Sequence, residues 1–472
     1  MMFNLYFLFK PWIIVYALLG FIGFLFFISL IRALFLKYKK ARTVNLNGAD
    51  KELTNLYGDK LFEMISIQTS SYEDNEVYHI FREKIKQLFP LVHLKFKKEK
   101  AGSNIIFTYR GNNLTNNVLV VTHIDSSTIE KKLKITDEKL YGSGTFDSKS
   151  LFFVVMQAVE EYLQFYKQFE FNLTIVMTVD DESTNAGNEK IVDMFLRQGK
   201  FFNLVIEEGI GIIDPTFLQM KSNYALLGIG VTGEAKIRYQ ISKNRGAKDL
   251  EDFVRNVKID RIFKSEIDKN SKRILYEFSK DMPFLKRLMF SNIWLYRSIV
   301  KRYINNNDAF RLARLMRTYI EYGAIQETES IYYVDFIYKM ASHDTTAEII
   351  DLIDPYVYKY NIAFEILDSK EPSKVTSIKH AGYKIVEKTI KETYDNVYIS
   401  PYIITKISDQ RNLARVSDCV IRYSPLYYTN EMLNDAAKGN EQIMKKSLYY
   451  GVKFYKNLFT ECDNKVRSLK NK

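Results

Sequence analysis

The stretch "LTIVMTVDDES" at residues 173–183 joins an apolar run to three consecutive acids, Asp180, Asp181 and Glu182. The apolar run predicts a buried strand, and the acids predict the loop that follows it. Two earlier strands are predicted at 104–110 ("NIIFTYR") and 117–122 ("NVLVVT"), and a largely apolar helix is predicted at 150–168. Strands that alternate with helices indicate an α/β domain with an open sheet.

Other polar residues also follow apolar strands, where an open α/β sheet gathers its functional groups. His123 and Asp125 come directly after the strand at 117–122. Residues i and i+2 of a strand face the same way, so Asp125 is placed to orient the imidazole of His123, as a carboxylate behind a metal ligand does. The competing interpretation is a hydrogen-bonded loop histidine.

Two more strand ends carry acids. Asp147 follows a tight turn with Gly142 and Gly144, and Glu207 and Glu208 end the apolar run at 204–206. An Asp that caps a helix is the simpler interpretation of Asp147, and solvated acids are the simpler interpretation of the glutamates. Carboxylates that converge repel one another unless protons or cations neutralise them. One histidine with several carboxylates is a ligand set suited to Zn²⁺, Mn²⁺ or Co²⁺.

The order of these motifs, "HID" at 123–125, "GSGTFD" at 142–147, "DDE" at 180–182 and "EEG" at 207–209, resembles metallopeptidase family twenty. That family includes aminoacylases, succinyl-diaminopimelate desuccinylase, glutamate carboxypeptidases and the membrane-anchored carboxypeptidase S branch, which this chain resembles in particular. The resemblance extends over residues 52–465. It implies a two-domain, zinc-exopeptidase-like α/β fold, with an α/β/α catalytic domain at 50–225 and 353–472 and an inserted α+β lid or dimerisation domain at 226–352.

The resemblance also implies roles for individual residues. The expected metal ligands, for two zinc ions or one, with Mn or Co as alternatives, are His123, Asp147, Glu182 and Glu207. Asp125 would orient His123, Asp181 would be the general base, and Arg411 would bind a substrate carboxylate. The implied function is hydrolysis of an amide bond in small peptides or N-acyl amino acids by metal-activated water.

Four positions depart from the family pattern. Asp181 stands where relatives have Glu, and Ala437 stands where they have a metal-binding His, three residues before the Asn-Glu pair at 440–441. The lid stretch "SKNRGAKDL" at 242–250 lacks the His that stabilises the oxyanion, and Ile337 replaces an Arg. The alternative function is therefore a catalytically impaired pseudoenzyme that acts as a tethered binding or scaffold protein.

The N-terminus predicts a membrane anchor at 11–36. Residues 11–31 carry no charge, and a helix of this length can cross about 30 Å of hydrocarbon. The competing interpretation is a signal peptide, whose apolar core is shorter, at about 7–15 residues. The basic stretch "RALFLKYKKAR" at 32–42 places the soluble part in the cytoplasm by the positive-inside tendency, and the opposite orientation stays open. The protein is expected to be a single-pass membrane protein.

The net charge and the cysteine content limit which other partners are expected. The net charge is +12, but six basic residues precede the first acid, Asp50, so the charge does not indicate nucleic-acid binding. Two cysteines cannot form a disulfide framework or a structural zinc site. The insert contains basic helical stretches at 283–304 and 309–323, whose charges look spread around the helix, which disfavours a membrane-sensing role. A homodimer formed through the lid is a hypothesis.

Overall fold

The computed structural model describes residues 11–36, 44–69, 75–113, 115–126, 133–146, 148–179, 186–218, 220–259, 262–307, 311–405 and 409–470. The helices in these residues are α1 Pro11–Phe35, α2 Lys51–Ile65, α3 Asn75–Leu88, α4 Pro90–Lys95, α5 Ser148–Tyr166, α6 Ala186–Arg197, α7 Lys248–Ile259, α8 Lys269–Ser279, α9 Phe284–Ser291, α10 Ile293–Asn306, α11 Thr346–Tyr360, α12 Ala381–Thr393, α13 Asn430–Ala436 and α14 Lys445–Lys470.

Within the described residues, ten strands form the main sheet. They are β1 Lys97–Ala101, β2 Asn104–Tyr109, β3 Asn117–His123, β6 Asn172–Thr178, β7 Leu204–Glu207, β8 Gly211–Ile213, β9 Tyr224–Val231, β15 Tyr398–Ile404, β16 Val420–Arg422 and β17 Tyr427–Tyr428. The order is β1-β2-β6-β3-β7-β16-β9-β8-β17, and β15 pairs with β9. The predicted strands at 104–110, 117–122 and 173–179 are confirmed as β2, β3 and β6, and the predicted helix as α5.

The middle of the main sheet is parallel. β3 pairs in parallel with both β6 and β7, and β7 pairs in parallel with β16. The carboxyl ends of these four strands therefore meet at one edge of the sheet. At one side of the sheet, β2 runs antiparallel to both β1 and β6, and at the other side β9 runs antiparallel to both β16 and β8, which makes the sheet mixed.

Helix α5 packs between the sheet and the long C-terminal helix α14. Its residues from Leu151 to Met156 are essentially inaccessible to solvent, which explains why this segment is apolar on every side. The small three-stranded sheet of β18 (Gln442–Met444), β5 (Lys139–Tyr141) and β4 (Lys134–Ile135) ties the segment before α14 to the turn before α5.

A second, antiparallel sheet has a hydrophobic core of its own. It contains β10 Gly233–Ser242, β11 Tyr319–Tyr322, β12 Gln326–Glu327, β13 Ile331–Met340 and β14 Ala363–Lys370, in the order β11-β13-β10-β14, and β12 pairs with β13. Helices α7 and α11 contribute residues to that core. The sheet extends past the predicted boundary at residue 352, because β14 pairs with β10.

Helices α8, α9 and α10 do not join the second sheet's core. Residues of α8, α9 and α10 belong to the large core of the main sheet, where α8 packs against β15. The predicted helix at 309–323 is wrong in its second half: a 3₁₀ turn at Arg311–Leu315 is followed by β11. β11 pairs with β13, and the residues Tyr319, Ile320 and Tyr322 suit a strand better than a helix.

Helix α1 is long and apolar enough to cross a bilayer. Among the described residues it is the one such helix, with mean hydropathy 2.6 over its most apolar window, and a signal sequence would pass the same test. Its N-terminal half is exposed, whereas Ser29 and Ala33 near its C-terminus are buried.

Candidate active site

His123 lies at the carboxyl end of β3 with a carboxylate on each ring nitrogen. Its Nδ1 lies 3.2 Å from Oδ1 of Asp125, and its Nε2 lies 2.6 Å from Oε2 of Glu208. The imidazole is 3% exposed and Asp125 is fully buried. The predicted contact between Asp125 and the imidazole is therefore present. The contact with Glu208 was not anticipated, although the sequence places Glu208 at the end of a neighbouring parallel strand.

This arrangement fits a cation. A neutral imidazole donates a hydrogen bond from one nitrogen only, so holding both carboxylates needs a proton or a metal ion on the second nitrogen. Two ligand atoms of one tetrahedral zinc ion lie about 3.3 Å apart. Nε2 of His123 and Oε2 of Glu208 would therefore have to move slightly apart to bind the same zinc ion. A histidine oriented by a carboxylate on Nδ1 presents Nε2 as a ligand, as metal sites require.

Glu207 has a different environment from Glu208. The strand pairing places Glu207 on β7 beside Arg422 on β16, and Oε2 of Glu207 lies 3.2 Å from Nε of Arg422. Both side chains are buried, at 1% and 2% exposed. The structure thus neutralises Glu207 with an internal guanidinium, and its predicted role as a metal ligand stays a prediction. A charged residue inside the apolar run "CVIRY" at 419–423 is the sequence signal that could have identified Arg422.

The Gly209 that follows the two glutamates allows this close packing. A Cβ at Gly209 would lie 2.3 Å from the carbonyl carbon of Arg422, so only glycine fits there. The Gly209 amide donates to Oγ of Ser424 at 3.1 Å. The loop after β7 is thereby held against the loop after β16, next to the carboxylate of Glu208.

The predicted tight turn before α5 is present and is held by Glu441. Gly144 has a φ of 87°, a conformation that glycine tolerates best. Oε2 of Glu441 accepts hydrogen bonds from the backbone amides of Gly144 (2.7 Å) and Phe146 (3.2 Å). Tyr428 donates to the carbonyl of Phe146 at 2.5 Å. These contacts position the turn that delivers Asp147, which itself lies outside the described residues.

The acid triplet follows the neighbouring strand. Thr178, the last residue of β6, pairs with His123 of β3, so the chain enters the triplet beside the histidine. The amide of Val179 donates to Oδ1 of Asn104 at 3.0 Å and fixes the last residue before it. Asp180, Asp181 and Glu182 lie outside the described residues. Among the residues that are described, no group of three or more His, Cys, Asp or Glu side chains could hold a metal ion.

Ala437 is the C-terminal cap of α13, four residues before Glu441. Its methyl group offers no metal ligand, and the nearby chain returns through β18 to pair with β5. Arg411 lies in a 3₁₀ turn at Asp409–Arg415, and its side chain is outside the described part of the chain. His380 caps α12 by accepting from the amide of Gly382 at 3.1 Å.

Comparisons with known proteins agree with this architecture. The profile of Peptidase family M20/M25/M40 matches residues 119–461. The chain is 22% identical over 464 residues to the N-fatty-acyl-amino acid synthase/hydrolase PM20D1 of Xenopus tropicalis, covering 90% of each chain. It is 21% identical over 415 residues to the probable carboxypeptidase S-like 2 of Dictyostelium discoideum, covering 81% of this chain and 79% of that protein.

Two solved structures have a similar fold. The M20 family metallo-carboxypeptidase Sso-CP2 from Sulfolobus solfataricus superposes with a TM-score of 0.61 at 14% identity, over 86% of this chain and 99% of that one. The YXEP protein of Bacillus subtilis, described as a dinuclear metal binding peptidase of the same family, superposes with a TM-score of 0.52 at 8% identity, over 89% and 99%. At these identities the likeness shows the fold alone.

Proposed function

The chain belongs to Peptidase family M20/M25/M40 and is thus a metallo-hydrolase, and from this premise we propose that it hydrolyses an amide bond of small peptides or N-acyl amino acids. The observation that carries the proposal is His123, buried between Asp125 and Glu208 at the edge where three parallel strands end. The relatives named for carboxypeptidase and N-fatty-acyl-amino acid hydrolase activity support the substrate class.

We propose that two zinc ions, or one, bind at this edge, with Mn or Co as alternatives. His123, Asp147, Glu182 and Glu207 are the proposed ligands, and Glu208 joins them because its carboxylate faces Nε2 of His123. When bound, such ions polarise a substrate carbonyl and lower the pKa of water. Asp125 holds the imidazole of His123 in one tautomer, and Glu441 holds the turn before Asp147.

The remaining roles belong to the protein's own side chains. Asp181 is the proposed base that takes the proton of the attacking water, and it is one methylene shorter than the Glu of relatives. Proton transfer requires hydrogen-bond reach, so we expect Asp181→Glu to raise kcat. Arg411 is the proposed partner of a substrate carboxylate, which its guanidinium could bind through two parallel hydrogen bonds.

The test combines metal content with turnover. The purified full chain in detergent is loaded with Zn²⁺, Mn²⁺ or Co²⁺ and assayed on a panel of dipeptides and N-acyl amino acids, beside elemental analysis. We expect bound metal and hydrolysis of at least one panel member. His123→Asn is the control, because it keeps a polar side chain and removes the Nε2 ligand. Metal-free protein that hydrolyses nothing would overturn the proposal.

A second candidate function rests on Ala437. Without a ligand at that position, the chain is a catalytically impaired relative that acts as a tethered binding or scaffold protein. Ala437→His separates the two candidates: an impaired relative gains metal and activity on this substitution, whereas a working hydrolase already has both. Two metals per wild-type chain would exclude the strong form of this candidate.

We further propose that α1 anchors the protein in a membrane as a single span, with the soluble part in the cytoplasm. We also propose that the second sheet acts as a lid and that two chains pair through it. The charge-free segment 11–31 and the basic residues after it support the anchor and its orientation. The separate core of the second sheet supports a distinct lid unit.

A further inference from the structure

Helices α9 and α10 hold the C-terminal half of α1 directly. Nδ2 of Asn292, between α9 and α10, donates to the backbone carbonyl of Ser29 at 3.0 Å. The hydroxyls of Ser29 and Tyr296 lie 3.0 Å apart. Ser29 and Ala33, one turn apart on α1, are both fully buried. The proposed anchor is thus packed against the body of the protein two turns before the helix ends.

This packing fixes the depth of α9 and α10 relative to a bilayer. The charge-free segment 11–31 is about 31 Å long as a helix, which matches the hydrocarbon thickness of about 30 Å. Ser29 lies two residues from the end of that segment, or about 3 Å along the axis. The bond between Asn292 and Ser29 therefore falls at the boundary between hydrocarbon and headgroups, and α9 and α10 lie at the same level.

Apolar side chains on these two helices are exposed. Phe284, Leu285, Trp294 and Ile299 are 44%, 66%, 42% and 54% exposed. Other apolar residues of the same helices face the core and are buried, namely Leu288, Phe290, Ile293, Val300 and Ile304. Each helix therefore has an apolar side that the protein does not cover, in addition to the side that it does. Nε1 of Trp294 donates to Oδ1 of Asn292 at 3.3 Å, which places the ring next to the contact with α1.

The charge of this pair of helices suits a lipid surface. Between Phe284 and Asn306 there are five basic residues and no acid. Arg297 and Lys301 pair with Glu266, and Arg302 is exposed. A helix with exposed aromatic and aliphatic residues and basic neighbours is typical of a segment that lies in the membrane interface. The sequence alone showed charges spread around the helix, and only the fold pairs two of them with Glu266.

We propose that α9 and α10 form a second membrane contact, in which Phe284, Leu285, Trp294 and Ile299 insert into the interface of the bilayer that α1 spans. The inference rests on the proposed anchor, because the depth argument uses α1. The contact holds the soluble body at a fixed orientation on the membrane, which a single flexible tether could not do.

The chain contains two tryptophans, Trp12 on α1 and Trp294 on α10, which allows a direct test. The full-length Trp12→Phe variant is reconstituted into phosphatidylcholine vesicles whose acyl chains carry bromine either near the headgroup or near the methyl end. We expect Trp294 fluorescence to be quenched by both lipids, and about twofold more by the shallow bromines, because interfacial tryptophans lie at headgroup level. The Trp294→Phe variant reports on Trp12 and hence on the anchor itself.

A matched control places tryptophan at an exposed position far from α1. Phe165 at the end of α5 is 78% exposed and contacts Tyr166 edge to face, on the side of the sheet near β2. Helix α8, the neighbour of α9, packs against β15, which pairs with β9. β2 lies five strand steps from β9 across the sheet, or about 24 Å. In a Trp12→Phe, Trp294→Phe background, Phe165→Trp should not be quenched.

The outcomes separate the inference from the proposals on which it rests. Quenching of Trp12 without quenching of Trp294 would overturn the second contact and leave the anchor in place. If neither is quenched, the anchor fails and the second contact fails with it. If the emission of Trp294 is not quenched by the brominated lipids but shifts with protein concentration, the exposed side of α9 and α10 contacts a second copy of the chain instead. Hydrolytic activity does not enter the measurement, so the result does not depend on the proposed substrate.

Discussion

At the scale of single residues, two adjacent glutamates have opposite surroundings. Glu207 is buried against Arg422, whereas Glu208 is 20% exposed and faces His123. A buried carboxylate that is already neutralised by a guanidinium contributes to the integrity of the sheet. A carboxylate that faces an imidazole nitrogen at the sheet edge is available to a cation. The two residues therefore differ in what their loss should cost.

We expect Glu207→Gln to destabilise the protein by about 3–5 kcal/mol, because it leaves the charge of Arg422 buried without its carboxylate. Glu208→Gln is the matched control, with the same chemical change one residue away, and it should alter stability by less than about 1 kcal/mol. Thermal unfolding measures the difference. Elemental analysis of the same two proteins should show a loss of metal in both, because both glutamates are among the proposed ligands. Equal stability of the two variants would contradict the assignment of Glu207 to a structural pair.

At the scale of elements, the turn before α5 is shaped by a residue from the other end of the chain. Glu441 reaches it because β18 pairs with β5, and its carboxylate accepts from the amides of Gly144 and Phe146 in the turn. Charged acceptors of this kind hold a backbone loop more strongly than neutral ones. The shape of the turn that precedes α5 therefore depends on a contact between residues almost three hundred positions apart in the chain.

We expect Glu441→Ala to lower kcat and metal affinity by about 10- to 100-fold, as loss of a supporting contact near a metal site does. Glu441→Gln keeps one acceptor oxygen and should retain more of both. Isothermal titration with Zn²⁺ gives the affinity, and unfolding of the metal-free proteins shows whether the fold is intact. An affinity unchanged in Glu441→Ala would show that the turn holds its shape without this carboxylate.

In the second sheet, Asp335 of β13 accepts two hydrogen bonds from Arg238 of β10, at 2.7 and 3.0 Å. The hydrogen bond to Arg238 lowers the pKa of Asp335. A lowered folded-state pKa contributes stability above the unfolded value of about 3.9, and that contribution is lost as the pH falls through the folded-state value.

Asp335→Asn should therefore reduce stability by about 1 kcal/mol at pH 7, and the difference from wild type should shrink below about pH 4. Thermal unfolding of both proteins at several pH values tests this. Asp351→Asn on the exposed side of α11 is the control and should leave the thermal stability at pH 7 unchanged. If Asp335→Asn remains equally less stable than wild type below about pH 4, the pair of Arg238 and Asp335 acts through packing and not through charge.

At the scale of the whole molecule, the helices between β10 and β14 are divided between two cores. α7 and α11 cover the second sheet, whereas α8, α9 and α10 extend the core of the main sheet and carry α1. Helix α1 is therefore packed into the folded body. Removal of α1 by a signal peptidase would break its contacts with Asn292 and Tyr296.

We accordingly expect the native N-terminus to be retained. Intact-mass measurement of the protein purified from membranes should include residues 11–36, and alkaline carbonate washing should leave the chain in the membrane pellet. A peripheral protein of similar charge, released by the same wash, is the control. A mass that lacks the first 36 residues, with release by carbonate, would favour a cleaved signal sequence.

The sequence by itself determined the α/β class, the strands β2, β3 and β6, and the helix α5, because hydrophobic periodicity depends on neighbours along the chain. The roles of His123, Asp147, Asp181, Glu182 and Glu207 came from the order of the motifs and their resemblance to the family, and they stay predictions. Only the tertiary structure decided that Glu207 pairs with Arg422, that Glu208 faces His123, and that Glu441 holds the turn before α5. It also decided that α9 and α10 pack on α1 with an apolar side exposed. The reason is physical: each of these contacts joins residues far apart in the chain, and strand register and helix packing, not local propensity, bring them together.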